Sequence, residues 1–343
     1  MVNNMGNGKK KEKLKNLRLL ILVVLILFVA FAIYVFFFSD GKLSNEIGKT
    51  FDTAIENMTK NTEVYKKCMD NDVLKEEDFS EELINKKNEI IGLYNGVNAN
   101  FMYTDLESDY SFGEDEEKEL YAASVTKLPA VLYAYKQADE GKLDLNKELT
   151  YLAKYKASGS GIIKKDSVGT KYKIGTVLEY TIKYSDNIGY SMLLDELGGR
   201  NVVKEYWANL GYNIKYSDNF GNLSPSLGNG YIKEVYKYYL TGKENAKKLV
   251  DDMKNSANLE YVKSGDIEVA HKYGEYVEGG GYYNDVSLNF TDHPFALSIT
   301  STLGYSDTMK NLFLQTHKLS IEFNQMYYKE KENYCLEKSH LLS

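Results

Sequence analysis

The chain has 343 residues, of which 27% are charged and 43% hydrophobic, and its formal net charge is −7 at pH 7. This length allows one or two domains with a substantial buried core. Binding to nucleic acid requires a basic face, so the negative balance argues against nucleic acid as a partner.

The N-terminal segment has the charge pattern of a membrane anchor. Residues 1–18 are rich in lysine, and residues 19–38 then run without a charge. About 20 apolar residues suffice for a helix to cross a bilayer, and basic residues before such a span favour a cytoplasmic N-terminus. We therefore predict a cytoplasmic basic tail at 1–18 and a transmembrane signal-anchor helix at 19–38. The remainder would lie outside a bacterial cell membrane.

A cleaved signal peptide is the alternative for this segment. Ala30-Phe31-Ala32 has the small-x-small form of a cleavage site. The apolar run continues through Ile33 to Phe38, where a peptidase expects a more polar segment, so we prefer the uncleaved anchor. Residues 39–89 are charged and compatible with helices, and we predict that they form an extracytoplasmic stalk.

The order of the predicted elements indicates a mixed α and β domain. A helix is predicted at Ser80–Glu89, a first strand at Ile90–Tyr94, and an extended segment at Phe101–Thr104 before an acidic hairpin tip with a turn at Gly113. Helical patterns dominate from Ser124 to about Leu240. Strands follow at Ile267–His271, Val286–Phe290 and Phe295–Thr300, and a last helix at about Tyr305 to Met326.

Cysteine and histidine spacing indicates no metal site, and we predict no cofactor. Cys68 and Cys335 could form a disulfide in an oxidising compartment, and two unpaired thiols are the equal alternative. His271 is predicted to be a packed side chain on a strand, not a catalytic base.

Ser124 and Lys127 form the first candidate catalytic pair, at the start of a helical pattern. Positions i and i+3 share one helix face, so the Lys127 amine can reach the Ser124 hydroxyl. A serine at a helix N-terminus also has its backbone N–H free for a developing oxyanion. A lysine whose pKa is lowered by burial and nearby cations could remove the serine proton. Alone, S-x-x-K is a weak signal, because surface helices contain it by chance.

Two further elements follow in order, Ser185-Asp186-Asn187 and Lys272-Tyr273-Gly274. The ordered set S-x-x-K, S-D-N and K-T-G is typical of class A β-lactamases and penicillin-binding proteins, and this chain resembles that superfamily. The resemblance implies an α+β (α/β sandwich) fold, with an antiparallel sheet flanked by terminal helices and an all-α lobe. It covers residues 90–327, the predicted serine hydrolase domain, and leaves 328–343 as a C-terminal tail.

The resemblance also implies a role for each matching residue. Ser124 would attack a carbonyl carbon, with Lys127 as its base. Ser185 would carry the proton to the leaving group, and Lys272 would add positive charge beside it. Asp186 is expected to hold its loop by accepting hydrogen bonds from backbone amides.

Four more residues are predicted to bind substrate. Asn187 would donate its amide to the acyl side chain, and the backbone N–H of Glu275 would be the second oxyanion donor. Gly274 fits a place where substrate backbone approaches the strand closely. Tyr273 stands where the family has Thr or Ser, and its bulk changes how a substrate carboxylate could be recognised.

Two other departures limit β-lactam turnover. Between Gly211 and Pro225 the chain has no glutamate to activate a deacylating water, and Asp218 is the only acid there. No arginine follows Arg200 to clamp a carboxylate. Losing general-base catalysis typically removes about 10²–10⁴-fold in rate, so we expect no fast hydrolysis of β-lactams.

The sequence therefore predicts a membrane-anchored extracytoplasmic serine acyl hydrolase or transferase. Its small-molecule partner would be a β-lactam or a D-alanyl compound derived from peptidoglycan. Two alternatives stay open: a binding or sensing module that deacylates slowly, and a scaffold that keeps the fold without the chemistry. The oligomeric state is not predicted.

Overall fold

The computed structural model describes residues 62–216 and 220–341, together with six residues between 49 and 60. The predicted tail at 1–18, the membrane helix at 19–38 and the beginning of the stalk lie outside these described residues. So does Asp218. Within the described part, no helix combines the length and the apolar character needed to span a membrane. The chain divides into two compact units, residues 70–332 and residues 1–69 with 333–343.

The described residues form nine α-helices and nine strands. The helices are α1 (Glu63–Asn71), α2 (Glu81–Gly92), α3 (Lys127–Asp139), α4 (Ile174–Lys183), α5 (Asn187–Glu196), α6 (Arg200–Asn209), α7 (Pro225–Tyr239), α8 (Glu244–Lys254) and α9 (Asp307–Leu341). The strands are β1 (Ala99–Asp105), β2 (Ser111–Glu114), β3 (Leu120–Tyr121), β4 (Glu148–Thr150), β5 (Lys171–Lys173), β6 (Asn222–Leu223), β7 (Glu268–Tyr276), β8 (Tyr282–Phe290) and β9 (Phe295–Ser301).

A five-stranded sheet forms the centre of the larger unit, in the order β2-β1-β9-β8-β7. Every neighbouring pair in it is antiparallel. Strand β9 is buried along its whole length, which indicates that both faces of the sheet are covered. The predicted α+β class with an antiparallel sheet is confirmed.

Helices cover the two faces of this sheet. On one face, the ring of Phe323 in α9 packs against Tyr103 of β1, with ring centroids 5.4 Å apart. On the other, α7 packs on the sheet, and Asn229 donates a hydrogen bond to the carbonyl oxygen of Met102 at 2.9 Å. Beyond α7, helices α3, α4, α5 and α8 bury their apolar side chains in a shared core, which forms the helical lobe.

Three sequence predictions about elements were wrong. Ile90–Tyr94 is not a strand, because the helix capped by Ser80 continues to Gly92 and buries Ile90. Gly113 is not at a turn; it lies inside β2, opposite Met102. The last helix begins at Asp307 and continues to Leu341, well beyond Met326.

In the smaller unit, Cys68 and Cys335 are joined by a disulfide, with their Cα atoms 5.6 Å apart. Both cysteines are buried and pack with Tyr65. The structure therefore decides between the two alternatives that the sequence left open for these cysteines. The domain boundaries at 90 and 327 stay predictions.

Candidate active site

Ser124 lies on a short 3-10 helix, Ala123–Thr126, that leads directly into α3. Ala123 has a φ of +48°, in the left-handed region that residues with a Cβ rarely adopt. Such a conformation costs roughly 1–2 kcal/mol. Backbone strain of this kind clusters at functional sites, and here it lies directly before the candidate nucleophile.

The Lys127 amine lies in the interior, beside the Ser124 hydroxyl. Its Nζ is 2.9 Å from Ser124 Oγ and 3.1 Å from Ser185 Oγ. It also lies 2.6 Å from the carbonyl oxygen of Ser185 and 2.7 Å from Oδ1 of Asn187. The side chain of Lys127 is fully buried, so a surface position for this lysine is ruled out.

Burial holds the pKa of Lys127 well below its usual value, and the positive charge of Lys272 lowers it further. The carboxylates of Asp186 and Glu275 act in the opposite direction without reversing the shift. A lysine with a lowered pKa is neutral at a pH where ordinary lysines are charged. This environment favours an amine that can accept a proton.

Ser185 lies between the two buried lysines. Its Oγ is 3.1 Å from Nζ of Lys127 and 3.1 Å from Nζ of Lys272. Burial lowers the pKa of Lys272 to about 7, although Asp285 and Glu275 raise it. The arrangement gives a continuous hydrogen-bonded route from Ser124 through Lys127 and Ser185 to Lys272.

Asp186 holds the loop on which Ser185 and Asn187 stand. Its Oδ1 accepts hydrogen bonds from the backbone N–H groups of Ile188 and Gly189 and caps α5. Its Oδ2 accepts from the N–H groups of Ile162 and Ile163, at 2.6 and 2.8 Å. The carboxylate therefore ties two segments of chain together, as expected for it from the sequence.

Both the oxygen and the nitrogen of the Asn187 side-chain amide form hydrogen bonds. Its Oδ1 accepts from Lys127, and its Nδ2 donates to the carbonyl oxygen of Ser158 at 2.7 Å. An amide nitrogen carries two N–H donors. One donor can therefore serve a substrate while the other holds Ser158.

Gly274 is required by the turn that carries the nucleophile. A Cβ at this position would lie 2.6 Å from the carbonyl oxygen of Ala122 and 2.9 Å from the backbone nitrogen of Ser124. The close approach seen here is made by the chain's own backbone, whereas the sequence predicted an approach by the backbone of a substrate. It brings the backbone of neighbouring Glu275, whose side chain is exposed, beside the Ser124 turn.

Tyr273 does not present a short hydroxyl group, as the Thr or Ser of the family motif would. Its ring centroid lies 4.2 Å from the Lys272 amine, within cation–π distance. Its phenol lies beside the side chains of Ser185 and Ser160, and burial raises the pKa of Tyr273. The residue therefore covers Lys272 with an aromatic face.

Ser124 lies in the wall of a cleft of about 1380 Å³, together with Asn187 and Glu275. Lys127, Ser185, Lys272 and Tyr273 are buried behind this wall. The structure therefore brings the eight predicted site residues to one place, with only part of the set open to the cleft. Among the described residues, no group of three His, Cys, Asp or Glu side chains could hold a metal ion.

Two residues near the site were missed by the sequence analysis. Phe220 lines the cleft, and its ring centroid is 5.7 Å from the Lys127 amine. The chain brings it there because β6 pairs with β3 and Gly221 accepts a hydrogen bond from the N–H of Ala122. No sequence pattern marks this phenylalanine.

Asn284 is the second missed residue. It lies on β8 directly opposite Gly274, and its amide donates to the carbonyl oxygens of Tyr121 and Ala122 at 2.8 and 3.3 Å. It thus holds the chain just before Ser124. Only knowledge of the strand register could have identified it.

The family model described as "Beta-lactamase enzyme family" matches residues 82–316. A search of curated protein sequences finds no match to the chain.

Solved structures share the fold. A PBP-A variant in an acyl-enzyme complex with penicillin G has a TM-score of 0.64 at 20% identity, covering 71% of this chain and 97% of that one. A β-lactamase from Chitinophaga pinensis has a TM-score of 0.62 at 21% identity, covering 68% and 97%. An ancestral class A β-lactamase has a TM-score of 0.60 at 18% identity, covering 70% and 99%. At these identities the likeness shows the fold alone.

Proposed function

Because the chain belongs to the β-lactamase enzyme family, we propose that it forms an acyl-enzyme on Ser124 as a serine acyl hydrolase or transferase. The observation that carries this proposal is the buried Lys127 amine, 2.9 Å from Ser124 Oγ at the wall of an open cleft. A nucleophile and a base within hydrogen-bond reach, with the base oriented by further groups, form the usual arrangement for covalent catalysis.

In the first step, neutral Lys127 takes the proton from Ser124 Oγ as that oxygen attacks the substrate carbonyl carbon. A bond forms between Oγ and the carbon, and the carbonyl oxygen becomes an oxyanion. The backbone N–H groups of Ser124 and Glu275 are the proposed donors to it. The lowered pKa of Lys127 supports its role as the base.

In the second step, the bond from the carbonyl carbon to the leaving group breaks. The proton held by Lys127 passes through Ser185 to the leaving nitrogen, which leaves as a neutral amine. Ser185 Oγ is 3.1 Å from Lys127 Nζ, which suits a relay. The ester on Ser124 is then released by water or by an acceptor amine.

The proposed substrate is a β-lactam or a D-alanyl peptide of peptidoglycan. A mutant of PBP-A, whose fold is similar, has been seen as an acyl-enzyme complex with penicillin G. Lys272 would attract the substrate carboxylate as a point charge from behind the cleft wall, since no arginine follows Arg200 in the chain. Tyr273, buried behind the cleft wall, would hold the Lys272 amine under its ring.

A slow-deacylating binding or sensing module is the second candidate function. Phe220, with its ring centroid 5.7 Å from the Lys127 amine, favours it, because an aromatic ring cannot act as a general base for water. A scaffold without chemistry is less well supported, since Ser124, Lys127, Ser185 and Lys272 are all present and in contact.

We also propose that the domain acts outside the cell, anchored in the membrane by residues 19–38. The disulfide between Cys68 and Cys335 supports this location, because disulfides persist in oxidising compartments. The lysine-rich segment before the apolar run favours a cytoplasmic N-terminus, which also places the domain outside the cell. Recovery of the intact native protein in the membrane fraction would support the anchor, and a shortened secreted form would contradict it.

Incubation of the protein with a fluorescent penicillin tests the function directly. We expect one label per wild-type molecule and none on Ser124→Ala. Absence of label on both proteins would exclude β-lactams as substrates. Turnover of a simple ester at the same rate by both proteins would contradict acyl-enzyme formation on Ser124.

A further inference from the structure

Positive charge is concentrated in one stretch of this acidic chain. The net charge of the whole chain is −7, yet residues 142–173 hold eight lysines and only three carboxylates. Half of these lysines fall between 164 and 173, where Asp166 is the single acid, and we call them the basic patch: Lys164, Lys165, Lys171 and Lys173. All four residues are exposed, and none of them lines the cleft beside Ser124.

The fold places two of these lysines on a small hairpin of the helical lobe. Lys171 and Lys173 lie on β5, which pairs with β4, and Tyr172 between them packs against the core of the lobe. Because side chains alternate along a strand, both ammonium groups point to the opposite, outward face of β5. Their Cα atoms are about 6.6 Å apart, at about 3.3 Å per residue.

The other two lysines are held next to this strand. Lys164 and Lys165 belong to a short 3-10 helix, Ile163–Lys165. The next residue, Asp166, accepts a hydrogen bond from the phenol of Tyr172, which ties the end of this helix to β5. The basic patch is therefore organised by the fold and not only by closeness in sequence.

Most of the charge in the basic patch is not neutralised by a carboxylate. Lys164 donates to the carbonyl oxygen of Gly159, and Lys173 donates to the side-chain oxygen of Asn146 at 3.3 Å. Neither acceptor carries a charge. Lys165 forms no ion pair with any other described residue.

Lys171 is the exception, since it pairs with Glu148 of β4 at 3.4 Å. More than half of each side chain is exposed. Exposed pairs of this kind are worth only about 0–1 kcal/mol, so an anion with several charges can displace Glu148. The basic patch therefore keeps an excess of positive charge that faces solvent.

This arrangement suits an anion with charges at several points along a chain. Lysine binds phosphate as a point charge without a fixed geometry. Exposed lysines on a strand and on the adjacent turn can therefore each meet one phosphate of a flexible chain. Phosphodiesters occur outside a membrane in two forms, as lipid headgroups and as linear polymers.

The place of the basic patch in the larger unit favours a polymer. The chain enters this unit on the side of α9, where the N–H of Leu74 donates to the phenol of Tyr327 at 3.3 Å. The proposed membrane anchor precedes this point in the chain. The basic patch belongs to the helical lobe, which covers the other face of the sheet. It thus lies across the sheet from the point at which the chain leads to the membrane.

We propose that the basic patch binds a linear extracellular polymer with repeated phosphodiester groups. The inference goes beyond the proposed function and does not depend on acylation of Ser124; it takes only the extracellular location from that proposal. Because the patch and the cleft use different residues, a bound polymer holds the domain in place and leaves the cleft open.

The test uses the full chain reconstituted in nanodiscs of phosphatidylcholine, with end-labelled poly(glycerol phosphate) as the probe. Fluorescence anisotropy measures the affinity at several salt concentrations. The affinity should fall steeply as salt rises, because each neutralised phosphate releases counterions. For a flexible phosphodiester chain the logarithm of the affinity changes with a slope of about −0.7 per phosphate contact. Absence of binding at low salt would overturn the proposal.

Replacement of all four lysines of the basic patch by glutamine should lower the affinity at least about 10-fold and reduce the salt slope by about 3. The matched control replaces four exposed lysines on α6, α8 and α9 by glutamine: Lys204, Lys247, Lys318 and Lys329. It has the same net charge and should keep the wild-type affinity and slope. Equal losses in the two variants would show binding by overall charge and would overturn the patch.

Flotation with vesicles of phosphatidylglycerol is the second arm of the test. Patch-dependent binding to these vesicles without binding to the polymer would assign the patch to lipid headgroups and overturn the proposal. Fluorescent penicillin labelling separates this proposal from the proposed function. A protein that binds the polymer but takes no label would contradict acylation alone, and a labelled protein that does not bind the polymer would contradict the patch alone.

Discussion

The ring of Phe220 has its centroid 5.7 Å from the amine nitrogen of Lys127 and forms part of the cleft wall. It also stacks on Tyr190, with ring centroids 6.2 Å apart. On this side, the cleft beside the candidate nucleophile is therefore bounded by aromatic rings. Release of an acyl group by water needs a proton acceptor near the ester, and an aromatic ring does not supply one.

Phe220→Glu should accelerate release of a penicilloyl group from Ser124. A well-placed general base contributes about 10²–10⁴-fold, so even an imperfectly placed glutamate should give about 10-fold. Loss of label from the isolated adduct measures the rate. Phe220→Gln is the control, because glutamine has nearly the shape of glutamate but carries no charge. It should give less than half of the rate gain of Phe220→Glu. Equal acceleration in both variants would mean that loss of the ring, not a new base, is responsible.

Lys127→Met should slow acylation of Ser124 by about 10²–10⁴-fold, because the variant keeps the buried volume and loses the proton acceptor. The measurement is the rate of fluorescent penicillin labelling. Lys136→Met, on the same helix and paired with Glu234, is the control and should label normally. Normal labelling of a folded Lys127→Met protein would exclude Lys127 as the base.

The pH dependence of acylation should report Lys272, whose pKa is lowered to about 7. As pH rises through this value, Lys272 loses its positive charge, so acylation by a penicillin with a free carboxylate should decline. A neutral ester should not show this decline. Both rates should fall at any pH low enough to protonate Lys127, because the amine can then no longer accept a proton. Identical profiles for the two substrates would argue against carboxylate attraction by Lys272.

Gly274→Ala should impair both stability and labelling, because its Cβ would lie 2.6 Å from the carbonyl oxygen of Ala122. Overpacking of this kind costs typically about 1–3 kcal/mol. Gly92→Ala is the matched control, since a Cβ there meets nothing within 4 Å. Thermal unfolding and penicillin labelling measure the two effects. A Gly274→Ala protein with normal stability would show that the Ser124 turn tolerates displacement.

Replacement of both Cys68 and Cys335 by serine should destabilise the protein without preventing acylation. The disulfide spans 267 residues of sequence, and the chain-entropy model gives about 5–6 kcal/mol as an upper bound for so long a loop. Thermal unfolding without reductant should show a lower midpoint, whereas the label on Ser124 should persist. An unchanged midpoint would mean that the disulfide contributes little.

Much of the fold and of the site could be predicted from the sequence alone. The alternating strands around Lys272 and the helical run after Ser124 follow from hydrophobic periodicity, which is a local property. The three motifs identify the residues of the site by type and order, because this chemistry requires a hydroxyl, two amines and an amide. The family match over residues 82–316 shows the family that the three motifs indicate.

Prediction failed where local patterns were ambiguous. Ile90–Tyr94 is a short apolar run, and such runs occur both in strands and at the buried ends of helices. The helix that Ser80 caps continues through the first part of this run, where it buries Ile90. The length of α9 was likewise underestimated, because its polar C-terminal half lacks a clear apolar period.

The sequence by itself determined which groups do the proposed chemistry, because side-chain type and order are properties of the chain. Tertiary structure alone decided how those groups meet: the pairing of Cys68 with Cys335, the approach of Gly274 to the Ser124 turn, and the place of Phe220 beside Lys127. Each is a contact between residues distant in sequence. Such contacts depend on strand register and on packing of the whole domain, which no local pattern encodes.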